Sequence, residues 1–321
     1  MSVCNCSDFI AIPSGVPQGS ILGPLLYASY LYDVGACFEH ARFLMYADDT
    51  KIFMKIKNDM DCTGLQADLN RLEQYYTDNR IRININKCSF ISFTRKKHPI
   101  NFEYYISNVK IAKSACVRDL GVHIDCKLTF SDHTEIIKNK AYRSLGFVLR
   151  VSRPFSDIGC LKVLYYAYVR SILEYCSIVW NPQYIIYTQD LEKMQEKFIK
   201  HLNYRSHCLF KNYDESCHYH NLTTLKNRRV LADMSFLHGI CNGYIDSPEL
   251  STKILSFCAP KVRTSHTKLF AVTRSKSNYA KNALVSRLHR TFNKQFNVTD
   301  IFHSSRHVFK REVLEILEGN G

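Results

Sequence analysis

The chain has 321 residues, 46% of them hydrophobic, which is enough for one large or two to three smaller domains and argues against global disorder. Its formal net charge of +14 favours a polyanionic partner. The N-terminal sequence MSVCNCSDFIAIPSG lacks the basic and apolar regions of a secretory signal, and no stretch reaches the roughly 18 apolar residues of a membrane span. We therefore expect a nuclear or cytoplasmic protein, neither secreted nor membrane-bound, with reduced thiols.

The charge is unevenly distributed along the chain. Residues 1–128 carry 15 Lys and Arg against 13 Asp and Glu, whereas residues 129–321 carry 28 against 16. Within Phe257–Arg311 there are 12 cations and one acid, Asp300. This basic segment is either a nucleic-acid surface or an ordinary solvated face.

The first patterned stretch is SGVPQGSILGPLLY, Ser14–Tyr27, in which Gly and Pro precede an apolar, helix-like run. Glycine permits close approach of a ligand to the backbone, and a turn before a helix exposes amide donors. The alternative is a generic Gly/Pro loop.

The next stretch, FLMYADDTKIF, places Asp48 and Asp49 between two apolar, strand-like segments. Asp is depleted in strands and common in turns, so the pattern predicts a β-hairpin with the pair at its turn. Adjacent carboxylates repel, and a hard cation such as Mg²⁺ relieves that repulsion with oxygen ligands. A solvated Asp-Asp turn and a metal site both fit the pattern.

Downstream, the periodicity predicts mixed structure and then helices. Leu65, Leu69, Leu72 and Tyr76 share a helix face, IRINI (residues 81–85) alternates like a half-buried strand, and CSFISF and LGVHI are further strands. Asp132 and Glu135 resemble a capping box ahead of a helix bearing Ile137, Ala141, Leu145 and Val148. A second apolar stripe comprises Leu161, Leu164, Tyr165, Tyr168, Val169, Ile172 and Leu173. A third comprises Leu191, Met194, Phe198 and Leu202, with Glu192, Lys193, Glu196 and Lys197 facing solvent.

Periodicity weakens beyond about Tyr204, where CHYH (Cys217–His220) follows Cys208. This cluster could hold a metal, but its spacing matches no established zinc pattern.

Two strings together carry a family resemblance. GVPQGSILGPLL followed by YADDTKIF resembles motifs B and C of the reverse transcriptases of non-LTR retrotransposons, the jockey-like lineage in particular. INKCSFISF, with Asn84 and Lys87, is similar to motif D, and LGVHID to motif E. YVRSILEYCSIVWNP and KMQEKFIKHL are similar to the thumb-side region of these elements.

The resemblance implies an α+β fold: a partial right-hand polymerase palm, an antiparallel sheet with helices, over residues 1–127. A helical thumb-like region (128–205) and a basic, mostly helical C-terminal region (206–321) follow. The implied function is RNA-directed DNA polymerisation by two-metal nucleotidyl transfer. The implied partners are an RNA template, a DNA primer and deoxynucleoside triphosphates, with two Mg²⁺ ions in the complete family site.

The resemblance also assigns roles to residues. Asp48 is expected as the principal metal ligand, and Asp49 as support for the second metal or the primer end. Lys87 is expected near the triphosphate as a proton donor, with an ordinary surface lysine as the alternative. The residues expected to contact template and incoming nucleotide are Gln18, Gly19, Ser20 and Tyr46.

The family's site uses a further aspartate from motif A, upstream of motif B. Met1 lies thirteen residues before Ser14, Asp8 lies in the lead-in to motif B, and Asp33 follows the motif B helix. We therefore expect an N-terminally truncated palm that is inactive as an isolated chain, from either a degenerate element copy or an incomplete gene model.

Two other hypotheses stay open. One is a non-catalytic nucleic-acid-binding remnant of a mobile element. Its phosphate contacts are expected at Lys261, Arg263, Lys268, Arg274 and Lys276, with Phe270 and Tyr279 able to stack on bases. The other is a pseudogene product without function.

Overall fold

A computed structural model describes residues 15, 19–155, 157–182, 184–210, 212–258, 268–272 and 278–319. The chain divides into two compact units, Met1–Ala115 and Cys116–Gly321. The predicted α+β class is confirmed: the first unit combines helices with short strands, and the second is mainly helical. The finer division at residues 127 and 205 stays a prediction. Within the described ranges, no helix is both long and apolar enough to cross a bilayer.

The first unit is built around one long helix. Its elements are α1 (Gly23–Tyr30), a 3₁₀ turn (Val34–Cys37), β1 (Arg42–Tyr46), β2 (Asp49–Phe53), α2 (Asp59–Asp78), a second 3₁₀ turn (Ile85–Lys87), β3 (Ser89–Phe90), β4 (Tyr105–Ile106), β5 (Val109–Lys110) and β6 (Ala112–Lys113). β1–β2 and β4–β5 are antiparallel pairs, and β3–β6 is parallel. Among the described residues, each of these sheets has two strands, and a two-stranded sheet needs further packing to be stable.

α2 contributes one face to two hydrophobic clusters that follow each other along its length. In its C-terminal half, Leu72 packs with Val34 and Cys37 and with the inward side chains of the β1–β2 hairpin. In its N-terminal half, Cys62 packs with the residues around β4 and β5. The helix begins with a full capping box, in which Asn58 accepts from the Asp61 amide at 3.0 Å and Asp61 accepts from the Asn58 amide at 3.2 Å.

The predicted strand at residues 81–85 is wrong. Residues 81–84 have no regular structure, and Ile85–Lys87 form a 3₁₀ turn. The alternation is real, since Ile83 and Ile85 pack into the cluster beside α2 while Arg82 and Asn84 are exposed. No neighbouring strand pairs with this segment among the described residues, so burial on one side produced the period without a sheet. The CSFISF strand shrinks to Ser89–Phe90.

The second unit begins with a hairpin and continues as helices. Its elements are β7 (Cys116–Asp119), β8 (Val122–Asp125), α3 (Ser131–Val151), α4 (Ile158–Tyr165), a π segment (Tyr166–Arg170), α5 (Ser171–Glu174), α6 (Ser177–Trp180), α7 (Ile185–Arg205), α8 (Tyr213–Tyr219), α9 (Leu225–Cys241), α10 (Pro248–Ile254), α11 (Asn278–Asn282), α12 (Leu284–Thr291), a second π segment (Phe292–Phe296) and α13 (Arg306–Gly319). Two hydrophobic clusters form its core, one around α3 and α7 and one around α9, α12 and α13.

The helix predicted after residue 131 is confirmed, but its predicted start is wrong. The side chains of Ile137, Ala141, Leu145 and Val148 are buried as expected. The Asp132–Glu135 capping box is absent: Phe130 occupies the N-cap with a φ of 56° and without a side-chain cap. The lead-in is organised instead by the Asp125 carboxylate, which accepts from the amides of Lys127, Thr129 and Phe130 at 2.7–3.1 Å.

The second predicted stripe holds except at one position. Leu161, Tyr165, Val169 and Leu173 are fully buried, whereas Tyr168 is 52% exposed. The π segment explains the difference, because a wider turn shifts the angular position of the residues within it. The third stripe is confirmed on α7.

Candidate active site

The predicted Asp-Asp hairpin is present. β1 and β2 pair in register from Arg42↔Phe53 to Tyr46↔Asp49, which leaves Ala47 and Asp48 as the two-residue turn. Ala47 has a φ of 52°, a region that costs an L-residue roughly 1–2 kcal/mol. Backbone strain of this kind is common at functional sites, and here it lies beside two carboxylates.

Both carboxylates are accessible. Asp48 and Asp49 are exposed, and so is Tyr46 at 65%, directly across the hairpin from Asp49. Their oxygens suit Mg²⁺, which prefers hard oxygen ligands and retains several waters. Among the described residues, no three or more His, Cys, Asp or Glu side chains gather into a group that could hold a metal. Asp48 and Asp49 therefore fit as two ligands of an ion whose remaining positions belong to water or phosphate oxygens.

α1 lies close to this turn. Burial, followed by the charges of Tyr76 and Asp48, raises the pKa of Tyr27 on α1, so Asp48 is near enough for its charge to act on that phenol. At the start of the same helix, Ser20 Oγ accepts from the Gly23 amide at 3.0 Å. Gly19 has a φ of 81°, and no atom of the described residues lies within 4 Å of where a Cβ would stand. The role of Gly19 in contacting a ligand stays a prediction, and Gln18 lies outside the described residues.

Lys87 is exposed at the end of the second 3₁₀ turn, where its amide donates to Asn84 O at 3.0 Å. Within the described part of the chain, no hydrogen bond or ion pair joins Lys87 to Asp48 or Asp49. Its expected role beside a triphosphate stays a prediction.

Sequence reasoning missed Asp68, which fixes the entry to β1. Its fully buried carboxylate accepts from the amides of Glu39 (3.3 Å), His40 (3.0 Å) and Ala41 (2.6 Å) and pairs with Arg71. Burial raises the pKa of Asp68, but these three amides and the Arg71 charge outweigh it and hold the pKa below its usual range. The signal was an acid on the apolar side of α2, four residues before Leu72.

The basic segment is only partly described. Lys268 is exposed, and Lys261, Arg263, Arg274 and Lys276 lie outside the described residues. Of the aromatic residues expected to stack on bases, Phe270 is fully buried, so that expectation is wrong for Phe270.

One cation of the basic segment has an internal role. Arg287 forms a bidentate ion pair with the buried Asp233 at 2.8 and 3.0 Å. Asp233 lies outside Phe257–Arg311, so counting charges within the segment could not reveal this neutralisation.

The CHYH segment does not gather into a metal site: no group of three or more His, Cys, Asp or Glu side chains that could hold a metal forms among the described residues. His220 Nε2 instead hydrogen-bonds with Asn203 Oδ1 at 2.8 Å, and burial raises the pKa of the Cys217 thiol to about 11.

Comparisons with known proteins relate part of this chain to reverse transcriptases. The family model described as reverse transcriptase (RNA-dependent DNA polymerase) matches residues 2–148. The RNA-directed DNA polymerase from mobile element jockey of Drosophila melanogaster is 32% identical over 183 residues, covering 53% of this chain and 19% of that protein. The probable RNA-directed DNA polymerase from transposon X-element of the same species is 31% identical over 137 residues, covering 40% of this chain and 15% of that protein.

The chain thus spans less than a fifth of the length of these two curated relatives. No solved structure matches it. The Asp-Asp hairpin and the glycine-rich start of α1 fall inside the matched segment. Over residues 2–148, the chain is therefore similar to reverse transcriptases, and the polymerases of mobile element jockey and transposon X-element are among the proteins that it resembles.

Proposed function

We propose that this chain carries part of the site of an RNA-directed DNA polymerase that acts by two-metal nucleotidyl transfer. The observation that carries the proposal is the pair of exposed carboxylates at the tip of the β1–β2 hairpin, with α1 close enough for Asp48 to act on Tyr27. Bound Mg²⁺ supplies activation of the primer 3′-hydroxyl and stabilisation of the leaving pyrophosphate.

The roles of individual residues follow from their positions. Asp48 holds the principal metal, and Asp49 supports the second metal or the primer end. The residues that contact the RNA template and the incoming deoxynucleoside triphosphate are Gln18, Gly19, Ser20 and Tyr46, of which Tyr46 offers an exposed ring. Lys87 serves as a cation and proton donor beside the triphosphate. The nucleus or cytosol is the compartment that we propose.

Metal binding tests the role of Asp48. We expect Mn²⁺, followed by electron paramagnetic resonance, to bind the full chain more weakly when Asp48→Asn is introduced. Asp246→Asn removes an exposed carboxylate in the second unit and serves as the matched control. Equal Mn²⁺ affinity in the wild type and in Asp48→Asn contradicts the assignment.

Primer extension tests catalysis. We expect the full chain alone not to extend a DNA primer on an RNA template, because two shared metals need more carboxylates than the pair that the described residues bring together. The measurement is Mg²⁺-dependent incorporation of labelled nucleotide by the wild type, Asp48→Asn and Asp49→Asn. Extension by the wild type that both variants abolish overturns this expectation and establishes the activity.

A second candidate function, non-catalytic nucleic-acid binding, is favoured by the charge of Phe257–Arg311 and the exposure of Lys268. If five phosphates are contacted, log affinity for a single strand falls against log salt with a slope of roughly −3 to −4. Changing Lys261, Arg263, Lys268, Arg274 and Lys276 to Ala is expected to remove most of that slope.

The control for this titration changes five exposed cations of the first unit to Ala, namely Lys55, Lys57, Arg82, Lys96 and Lys97. Both variants lose five positive charges, so a difference between their affinities for the oligonucleotide reflects where those charges lie and not the net charge of the chain. If both lose affinity equally, or neither does, the basic segment is not a nucleic-acid surface.

A further inference from the structure

The C-terminal half of α2 carries two adjacent tyrosines that bond to different neighbours. Tyr76 OH lies 3.1 Å from Thr50 Oγ1, on β2. Tyr75 OH donates to Asp33 Oδ1 at 2.5 Å, just beyond α1. Successive residues on a helix diverge by about 100°, so one turn of α2 can reach both the hairpin and the end of α1.

The Tyr76 bond acts on the strand that begins with Asp49. Thr50 follows Asp49 directly and is paired with Met45 across the hairpin. The inner face of the hairpin packs against α2 and against the segment before β1, where Phe38 stacks on Phe43 at 4.6 Å, whereas Leu44, Tyr46 and Phe53 on its outer face are 43–65% exposed. An isolated two-stranded hairpin is marginal in water, so its packing against α2 contributes to how firmly the turn is held.

The same part of α2 also holds α1. Tyr30 OH donates to the Asn79 carbonyl oxygen at the end of α2. Burial, followed by the hydrogen bond to Asp33, raises the pKa of Tyr75, so that phenol keeps its proton and remains a donor. The hydroxyls of Tyr30, Tyr75 and Tyr76 therefore join two segments to one helix, namely β2 and the end of α1 with the turn that follows it.

We propose that Tyr76, acting through Thr50, and Tyr75, acting through Asp33, are positioning residues that hold the Asp48–Asp49 turn and α1 on α2. Neither tyrosine is assigned a contact with metal or substrate. The consequence for catalysis rests on the proposed function of Asp48, whereas the ordering of the turn does not.

Hydrogen exchange tests the ordering directly. Tyr76→Phe keeps the ring in the core and removes the hydroxyl, so amides of residues 45–50 are expected to exchange about fivefold faster. Thr50→Val removes the same bond from the other side, and the double variant is expected to add little to either single change. Thr50→Ser, which retains a hydroxyl, is expected to stay close to the wild type.

Two controls separate this effect from general loosening. Tyr32→Phe removes a phenol hydroxyl in the same unit from a side chain that is 90% exposed, and the β7–β8 hairpin, residues 116–125, supplies an internal reference. If the amides of residues 45–50 exchange no faster in Tyr76→Phe and Thr50→Val than in Tyr32→Phe, the positioning role is overturned.

Mn²⁺ affinity of the same variants connects the turn to the site. A positioning role predicts binding weakened by up to about tenfold in Tyr76→Phe, with thermal unfolding close to that of Tyr32→Phe. Faster exchange together with Mn²⁺ binding that is insensitive to Asp48→Asn supports the ordering of the turn and refutes the proposed metal role. Asp48-dependent binding with unchanged exchange refutes the positioning role and leaves the proposed function standing.

Discussion

Asp68 and Asp125 are carboxylates, one in each unit, that accept several backbone N–H groups before a regular element begins. Asp68 does so ahead of β1, and Asp125 ahead of α3. Burial raises the pKa of Asp125 also, and the amides of Thr129 and Phe130 outweigh that effect and lower it. In both cases, one ionised side chain satisfies consecutive amides that otherwise lack partners in a loop.

Asp68→Asn is expected to destabilise the first unit by about 2–3 kcal/mol, because the amide weakens three charge-assisted bonds and removes the buried charge that pairs with Arg71. The free energy of unfolding of this unit is measured from the hydrogen exchange of the α2 amides.

The contribution of Asp68 to stability depends on pH, because its pKa is lower in the folded state than in the unfolded state. That contribution is complete above the unfolded-state pKa and is lost as pH falls through the folded-state pKa. The loss on acidification should shrink in Asp68→Asn and persist in Asp59→Asn, an exposed site on the same helix; an unchanged loss in Asp68→Asn contradicts the prediction.

At the scale of elements, a buried polar network aligns four helices of the second unit. Gln195 on α7 is fully buried, donates to Tyr213 OH and the Thr223 carbonyl oxygen at 3.0 Å each, and accepts from Tyr165 OH at 3.1 Å. Glu192, predicted to face solvent, accepts instead from the first two amides of α9 at 2.9 and 3.1 Å. A carboxylate at the N-terminus of α9 also interacts favourably with the positive end of the helix dipole.

Gln195→Leu is expected to lower the free energy of unfolding by about 2–4 kcal/mol, because it leaves the Tyr165 hydroxyl and the Thr223 carbonyl without partners in the core. Urea unfolding followed by the fluorescence of Trp180, the single tryptophan, measures this. Gln189→Leu, at an exposed position of α7, should change it by less than about 0.5 kcal/mol. Similar values for the two variants contradict a stabilising network.

The sequence predicted elements best where burial on one side repeats along a single helix or hairpin. α3, α7 and the Asp-Asp hairpin are of this kind. It failed where partners come from distant residues: the alternation at 81–85 has no pairing strand, and the start of α3 is set by Asp125 rather than by its own first turn. Beyond Tyr204, short helices and the π segment Phe292–Phe296 interrupt the period, so their bounds could not be predicted.

At the site, the sequence predicted the turn, the exposure of its carboxylates and the glycine-rich approach to α1. It did not reveal the support beneath them. Tyr76 was recognised only as part of an apolar stripe, and nothing in the spacing indicated that its hydroxyl meets Thr50. Side-chain hydrogen bonds between distant segments depend on tertiary packing, which a one-dimensional pattern does not encode.

At the scale of the whole molecule, buried titratable groups, among them His133, His220, Asp68 and Asp125, make stability fall on acidification over two pH ranges. Burial, followed by the charge of His123, lowers the pKa of His133 to about 4. The neutral ring is therefore favoured by folding, and its contribution declines as pH falls below the unfolded value of about 6.5. Asp68 and Asp125 act lower, below about pH 4, because their unfolded values lie there.

His133 gives the sharpest test, because its ring lies 5.1 Å from that of Trp180. Between pH 7 and pH 5, the unfolded state takes up a proton that the folded state excludes, so the second unit should lose about 2 kcal/mol. Urea unfolding monitored by Trp180 fluorescence at the two pH values measures the difference. His133→Phe should abolish most of it, whereas His123→Gln should retain it, because the 3.2 Å bond to His133 Nδ1 comes from the His123 backbone amide. A pH dependence that survives in His133→Phe would show that another group takes up the proton.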